Sequence, residues 1–381
     1  VAKAYDVIVV GAGPAGTAAA KAAAGIGART LLLEKYPTIM ANKPCGEACS
    51  RETLETAGVK PEPGLIVKEA KALVYSPSMK CIEINQVGYN INKSLLIQQL
   101  AAQAAERGAR ILVRSEVTAV ARRDHEMVVK TPKEEYTAKV VIGADGFHST
   151  VARSLGIRER PEPIPTVQYV MVNCRLKYTD YVRFYLGNKV APGGYAWIFP
   201  RGEKVAEVGV GARGVPAKAC LDRFVAMFPE ELGGAEIIDF RGAPVPIGGM
   251  IRSPVSDGCI LVGDAAGTVV PLTGAGIHAS IAAGLEAGKV AAEAALEGDT
   301  SRARLERFLA NYNSHWGERI RRSLKAMRAV EKLSDEELDQ LADILEASDV
   351  LDLANGFDIM KVARKLLSHP TLAIKLARAL L

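Results

Sequence analysis

The sequence predicts an α/β fold with three parts: a doubly wound parallel sheet, an antiparallel sheet inserted into it, and a helical C-terminal region. Three observations carry this. A strand–glycine turn–helix–strand unit opens the chain at residues 5–34, the apolar period changes to two between Thr166 and Ala212, and residues from Ser301 onward are almost wholly helical in pattern.

Each element has its own signal. Asp6–Val10 is an apolar run, Thr17–Gly25 is Ala-rich, and Thr30–Glu34 is a second strand. Residues 35–64 contain Pro37, Pro44, Pro61 and Pro63 and are expected to form a long irregular excursion. Asn92–Arg107 places Leu95, Leu96, Leu100 and Ala104 on one stripe, which predicts a helix stopped by Gly108. Strands are expected at Ile111–Val113, Val128–Lys130 and Val140–Gly143, and again at Val170–Leu176, Val182–Leu186, Tyr195–Pro200 and Val205–Gly211. Residues 216–228 read as a helix, Gly258–Gly263 as a buried strand and Gly276–Glu297 as a long helix. Breaks are expected near Asn355-Gly356 and His369-Pro370.

The 381 residues are long enough to enclose a sizeable ligand. A net charge of +5, dispersed along the chain, gives no ground for a nucleic-acid partner. With no secretory leader and no apolar run of spanning length, a cytoplasmic protein is expected, or one peripheral on the cytoplasmic face of a membrane. The segment Met360–Leu381 motivates the second option. It carries Lys361, Arg364, Lys365, Lys375 and Arg378 among Leu366, Leu367, Leu372, Ile374, Leu376 and Leu380. Helix packing with a solvated cationic face explains it equally well. The six cysteines are expected as free thiols, and Cys45 and Cys49 have no second ligand pair, so no metal site is expected.

Gly11-Ala12-Gly13-Pro14-Ala15-Gly16 follows a strand and opens a helix. The first glycine makes the turn, the second admits a pyrophosphate, and the third lets helix and strand pack closely. Glu34 closes the second strand, where an acid accepts from a ribose diol and disfavours a 2′-phosphate. Two more strands end in glycine and acid: Val140–Gly146 with Asp145, and Leu261–Gly267 with Gly263 and Asp264. Gly274 and Gly276 then open the long helix at Ile277, whose free N–H groups would face a polar ring edge or a pyrophosphate. Together these predict a bound dinucleotide.

The ordered glycine set resembles the para-hydroxybenzoate-hydroxylase-like superfamily of FAD enzymes over residues 4–295. Within it, Lys43-Pro44-Cys45-Gly46-Glu47 and Gly193-Gly194-Tyr195-Ala196-Trp197-Ile198-Phe199-Pro200 resemble the geranylgeranyl reductase family, and its archaeal branch in particular. The resemblance implies a Rossmann-like FAD-binding domain from residues 1–75, 96–163 and 251–298. It implies a substrate domain from 76–95 and 164–250, and a helical region over 299–381. It implies saturation of isoprenoid double bonds of archaeal-type ether lipids, or of their prenyl precursors, by reduced FAD. The electron donor would be a ferredoxin or NAD(P)H.

By the same resemblance Ala15, Cys45, Gly46, Lys93 and Val117 contact FAD. Lys93 stands where the family usually has Arg, so it keeps the charge without the planar fork. Tyr195, Trp197 and Phe199 alternate along one strand and share a face, a surface suited to an isoprenoid chain or simply to sheet core. Cys45 is read as a redox or acid group, or as a packing contact to FAD, and Glu47 as a proton donor if burial raises its pKa. His278 is read as a helix-packing residue. Two other functions stay open: a flavin monooxygenase of an apolar substrate, and an FAD-retaining isoprenoid carrier.

Overall fold

The computed structural model describes residues 3–41, 43–366 and 372. At its centre is the strand Lys3–Val10, flanked in parallel by Thr30–Leu33 and Glu135–Gly143. Arg110–Leu112 extends the sheet beyond Thr30–Leu33, and Cys259–Leu261 extends it beyond Glu135–Gly143. Val7, Ile8, Leu31, Leu32, Val140 and Val141 are wholly buried because both faces are covered. That is why these strands read as unbroken apolar runs.

The helices Pro14–Gly25, Lys93–Glu106 and Ile277–Glu297 cover one face, and the first and last are built mainly from small residues for a steric reason. A Cβ on Gly284 would lie 2.1 Å from the Ala15 carbonyl oxygen, and one on Gly288 2.3 Å from that of Ala19. The first and long helices therefore touch almost backbone to backbone. The opposite face is covered by an antiparallel hairpin, Ala119–Arg123 with Glu126–Lys130, and by the short helix Thr150–Ser154. There Val120, Met127 and Val129 pack on Ile8, Leu31 and Val141.

The second sheet has eight strands. In spatial order they are Glu236–Pro246, Pro163–Val172, Val205–Gly211, Tyr195–Pro200, Tyr181–Tyr185, Ile66–Tyr75, Cys81–Ile91 and Ala48–Cys49. All neighbours are antiparallel except Tyr181–Tyr185 with Ile66–Tyr75. Ile66–Tyr75 corrects the sequence reading, which left residues up to 75 with the first unit. Its Lys68, Glu69 and Lys71 made the run too polar to stand out as a strand. Glu236–Pro246 was also missed, because Gly242, Pro244 and Pro246 interrupt it. It is an edge strand, where proline is tolerated. The excursion 35–64 is less irregular than expected, holding Ala48–Cys49 and the helix Arg51–Ala57.

One face of this sheet packs on the helix Ala217–Ala226 through Phe224, Leu221 and Cys220. The other face turns its aromatic residues toward the first unit. The C-terminal helices Glu318–Val330, Asp335–Ile344, Ala347–Asn355 and Ile359–Leu366 close the remaining side. Gly356 provides the expected break, with φ +67° and no room for a Cβ beside the Arg319 carbonyl. The break at His369-Pro370 lies outside the described residues. In the described part of the basic C-terminal segment, Lys361 and Lys365 pair with Asp349, Asp352 and Glu346. Leu366 and Leu372 are buried against Leu333, Leu338 and Leu341.

Candidate active site

The glycine turn is sterically fixed. Gly11 has φ +96°, and a Cβ there would meet the Ala144 carbonyl oxygen at 2.5 Å. A Cβ on Gly16 would lie 1.8 Å from the Gly11 oxygen. Gly13 caps the following helix without a side chain, so the N–H groups of the first turn, including Ala15, have no intrahelical acceptor. Gly11, Gly13 and Ala15 border a cavity of about 660 Å³ that runs between the two sheets. Gly16 lies behind them and serves packing.

Glu34 is buried at the edge of this cavity. Its carboxylate accepts from the Ala12 N–H at 2.8 Å and the Tyr36 N–H at 3.0 Å. Two lone-pair directions remain on these oxygens, enough for the hydroxyls of a ribose. Val117, from the neighbouring loop, covers the same end. Asp145 accepts from the Thr150 and Val151 N–H groups at 2.7 and 3.0 Å, so its first task is to cap a helix. Its other oxygen, Oδ1, is buried beside the cavity without a partner among the described residues.

Across the cavity, Gly263, Gly274, Gly276 and Ile277 line the approach to the long helix, whose N-terminus likewise has no side-chain cap. Asp264 is held by the Lys43 ammonium at 2.6 Å. Two uncapped helix starts face one cavity, with a fixed carboxylate at one end and an orphaned carboxylate oxygen beside it. These donors and acceptors fit an extended dinucleotide such as FAD.

The loop before Ala48–Cys49 forms the wall between the two units. Cys45 and Gly46 border the cavity, and a Cβ on Gly46 would overlap the Phe199 ring at 2.2 Å. Lys93 is 6 % exposed at the start of its helix and donates from Nζ to the Lys43 carbonyl. Glu47 departs from its expected role as a proton donor. Its backbone is left-handed, with φ 52°, and its carboxylate accepts from Arg201 Nη1 at 2.8 Å and the Lys93 N–H at 3.1 Å. It is an ion-paired pin outside the cavity lining. Cys49 lies farther back, and burial pushes its thiol up to about 12. His278 also stands apart, bonded to Thr56 at 2.8 Å and set edge-on to Trp316.

Tyr195, Trp197 and Phe199 do share one face, and all three border the cavity. Phe184 packs edge-on to Tyr195 and Phe199. The Tyr195 hydroxyl donates to the Thr273 carbonyl at 2.5 Å, tying the wall to the segment before Gly274. Burial raises the pKa of that phenol, so it remains a donor. Beyond the wall, the cavity continues between Ile164, Leu186 and Ala191 on one side and Met327, Leu333 and Leu338 of the C-terminal helices on the other. Sequence reasoning missed this distal lining, which comes from segments far apart in the chain and carries no motif. It also missed Lys43, although that residue opens the quoted loop, and Glu207, a lone acid in an otherwise apolar strand.

Residues 163–245 match the model of the geranylgeranyl reductase catalytic domain, and residues 6–153 match that of glucose inhibited division protein A. A digeranylgeranylglycerophospholipid reductase 2 of Methanopyrus kandleri is 37 % identical, covering 99 % of this chain and 99 % of the relative. A digeranylgeranylglycerophospholipid reductase of Methanocaldococcus jannaschii is 36 % identical, covering 99 % of this chain and 98 % of its own. The crystal structure of a geranylgeranyl bacteriochlorophyll reductase-like protein from Thermoplasma acidophilum superposes with a TM-score of 0.88 at 32 % identity, covering all of both chains.

Proposed function

The chain belongs to the digeranylgeranylglycerophospholipid reductase family, and from that premise we propose that it saturates the geranylgeranyl double bonds of archaeal-type membrane lipids. It is an FAD-dependent oxidoreductase acting on carbon–carbon bonds. One observation carries the assignment to this site: the aromatic strand Tyr195–Pro200 walls the same cavity into which both uncapped glycine-rich helix starts open.

Bound FAD, once reduced, supplies the hydride equivalent that an isolated alkene needs. The protein supplies place and surroundings. Gly11, Gly13 and Ala15 would hold the pyrophosphate with backbone N–H groups, Glu34 would accept from the ribose, and Asp264, held by Lys43, would accept from the ribityl hydroxyls. Gly274, Gly276 and Ile277 would meet the polar part of the flavin at the start of their helix. Cys45, Gly46 and Lys93 would contact the cofactor from the loop that walls the cavity. Tyr195, Trp197 and Phe199 hold the apolar chain by contact alone, since an isoprenoid offers nothing to hydrogen-bond. Met327, Leu333 and Leu338 of the C-terminal helices give the distal cavity an apolar lining. Electrons arrive from an external donor, a ferredoxin or NAD(P)H, and the lipid reaches the site at a membrane surface.

The test is anaerobic incubation of dithionite-reduced protein with a geranylgeranylated glycerophospholipid, followed by mass spectrometry. Gain of hydrogen in pairs supports the reading. An unchanged lipid refutes it, and substrate-dependent oxygen uptake with NAD(P)H would identify a monooxygenase instead.

A further inference from the structure

Saturating an alkene consumes a proton as well as a hydride, and the phenol of the aromatic wall, Tyr195, is committed to the Thr273 carbonyl. One buried carboxyl stands beside that wall on the same sheet face. Glu207 lies opposite Phe199 in the sheet register, so its side chain emerges on the same face as Tyr195, Trp197 and Phe199. It is 6 % exposed. Its Oε1 is 3.4 Å from Arg201 Nη1, the same nitrogen that donates to Glu47, while Oε2 has no partner among the described residues.

Two further polar atoms on this face are equally orphaned. Trp197 and Gln168 flank Gly209 in adjacent strands, and Trp197 Nε1 and Gln168 Oε1 are both buried without a partner among the described residues. Three unsatisfied polar atoms around one glycine are more than a core of this size should leave idle. Their donor and acceptor groups sit on different strands, an arrangement that a bridging water would satisfy, and Trp197 joins them to the cavity it borders.

We propose that Glu207 is the proton-relay residue of the reaction, passing a proton from Oε2 through a bridging water beside Trp197 to the alkene carbon that does not receive the hydride. This rests on the reductase reading. The O–H bond of the carboxylic acid breaks, one C–H bond forms at the second alkene carbon, and the hydride from reduced FAD forms the other. The carboxylate left behind is held by Arg201 and takes a proton back from solvent before the next turnover. Lys93 and Arg241 add positive charge on the α-helix and edge-strand sides, and Glu47 adds the opposing negative charge. Burial outweighs the cations and pushes Glu207 up to about 8, which keeps it protonated near neutral pH. Glu207 reaches the substrate only through the water, so it is a positioning group and not a contact residue.

The experiment uses the FAD-loaded protein and the variants Glu207→Gln and Glu207→Asp. Single-turnover lipid saturation by reduced enzyme should slow by roughly 10²-fold in Glu207→Gln, with FAD content and lipid KM unchanged, and Glu207→Asp should restore part of the rate. The wild-type rate should fall above about pH 8, and this fall should vanish in Glu207→Gln. Independently of turnover, the infrared spectrum of the resting protein should show a buried carboxylic-acid carbonyl band that titrates in the same range and is absent from Glu207→Gln. A wild-type protein that saturates lipid while Glu207→Gln does so at the same rate and pH profile overturns the relay. A wild-type protein that saturates none overturns the reductase reading itself, and an infrared spectrum without that band overturns the protonated acid.

Discussion

Gly209→Ala tests whether the indole of Trp197 is a working wall of the cavity. A Cβ at position 209 would sit 2.1 Å from Trp197 Cζ2, 2.5 Å from Cε2 and 2.7 Å from Cη2. Restoring ordinary contact at about 3.4 Å requires the rigid ring to move by roughly 1.3 Å, toward the cavity it borders. Overpacking of this kind costs about 1–3 kcal/mol of stability. A misplacement on the order of 1 Å at a surface that aligns reacting atoms costs about 10²-fold in rate. The assay is single-turnover saturation of a geranylgeranylated lipid, alongside thermal unfolding and the flavin absorbance spectrum. The expected result is a large loss of kcat/KM with full FAD content, since position 209 lies in the second sheet and away from the glycine cradle. Gly202→Ala is the control, because its Cβ would meet nothing within 4 Å. If Gly209→Ala folds, loses about 1–3 kcal/mol of stability and still saturates lipid within twofold of wild type, the indole does not position the substrate.

Gly16→Ala should yield protein without flavin colour, because its Cβ would overlap the Gly11 carbonyl and open the turn; retention of stoichiometric FAD after gel filtration would contradict this. Glu34→Gln keeps the shape but sets an amide NH₂ against the Ala12 or Tyr36 N–H, and should raise the FAD dissociation constant by roughly 10- to 100-fold, a loss of about 1.5–3 kcal/mol, measured by flavin fluorescence. His278 is held down to about 4 by burial and by Arg319, so the unfolded chain binds the extra proton and stability falls as pH drops from 6.5 toward 4. Thermal unfolding of His278→Gln across that window should show a shallower slope than wild type. Glu207 has the opposite sign: its folded value lies above the ordinary 4.5, so stability falls as pH rises from there to about 8, and Glu207→Gln should flatten that decline in urea titrations.

Legibility divided along physical lines. The glycine cradle could be read because each glycine answers a local demand: a positive φ at Gly11, and a close approach between neighbouring turns at Gly16. The aromatic wall could be read because alternation along one strand fixes a shared face whatever the strand packs against. Glu47 was misread because its sequence gives no hint of Arg201, which comes from a turn more than 150 residues away. Asp145 borders the same cavity as the glycine turn, but its capping of the Thr150 and Val151 N–H groups leaves no mark in the sequence. The strands Ile66–Tyr75 and Glu236–Pro246 escaped notice since polar and proline residues blur the period of two in strands that are only partly buried.

By itself, then, the sequence determined the parallel sheet, the two uncapped helix starts, the acid at Glu34 and the aromatic face, because backbone sterics and residue alternation act over a few neighbours. Only the tertiary structure decided that both glycine-rich turns and the aromatic strand open onto one cavity. It alone decided that Lys43 secures Asp264 and that the last helices finish the apolar lining. Those outcomes depend on which surfaces meet across long chain separations, where burial and charge pairing act in space and leave no period in the order of residues.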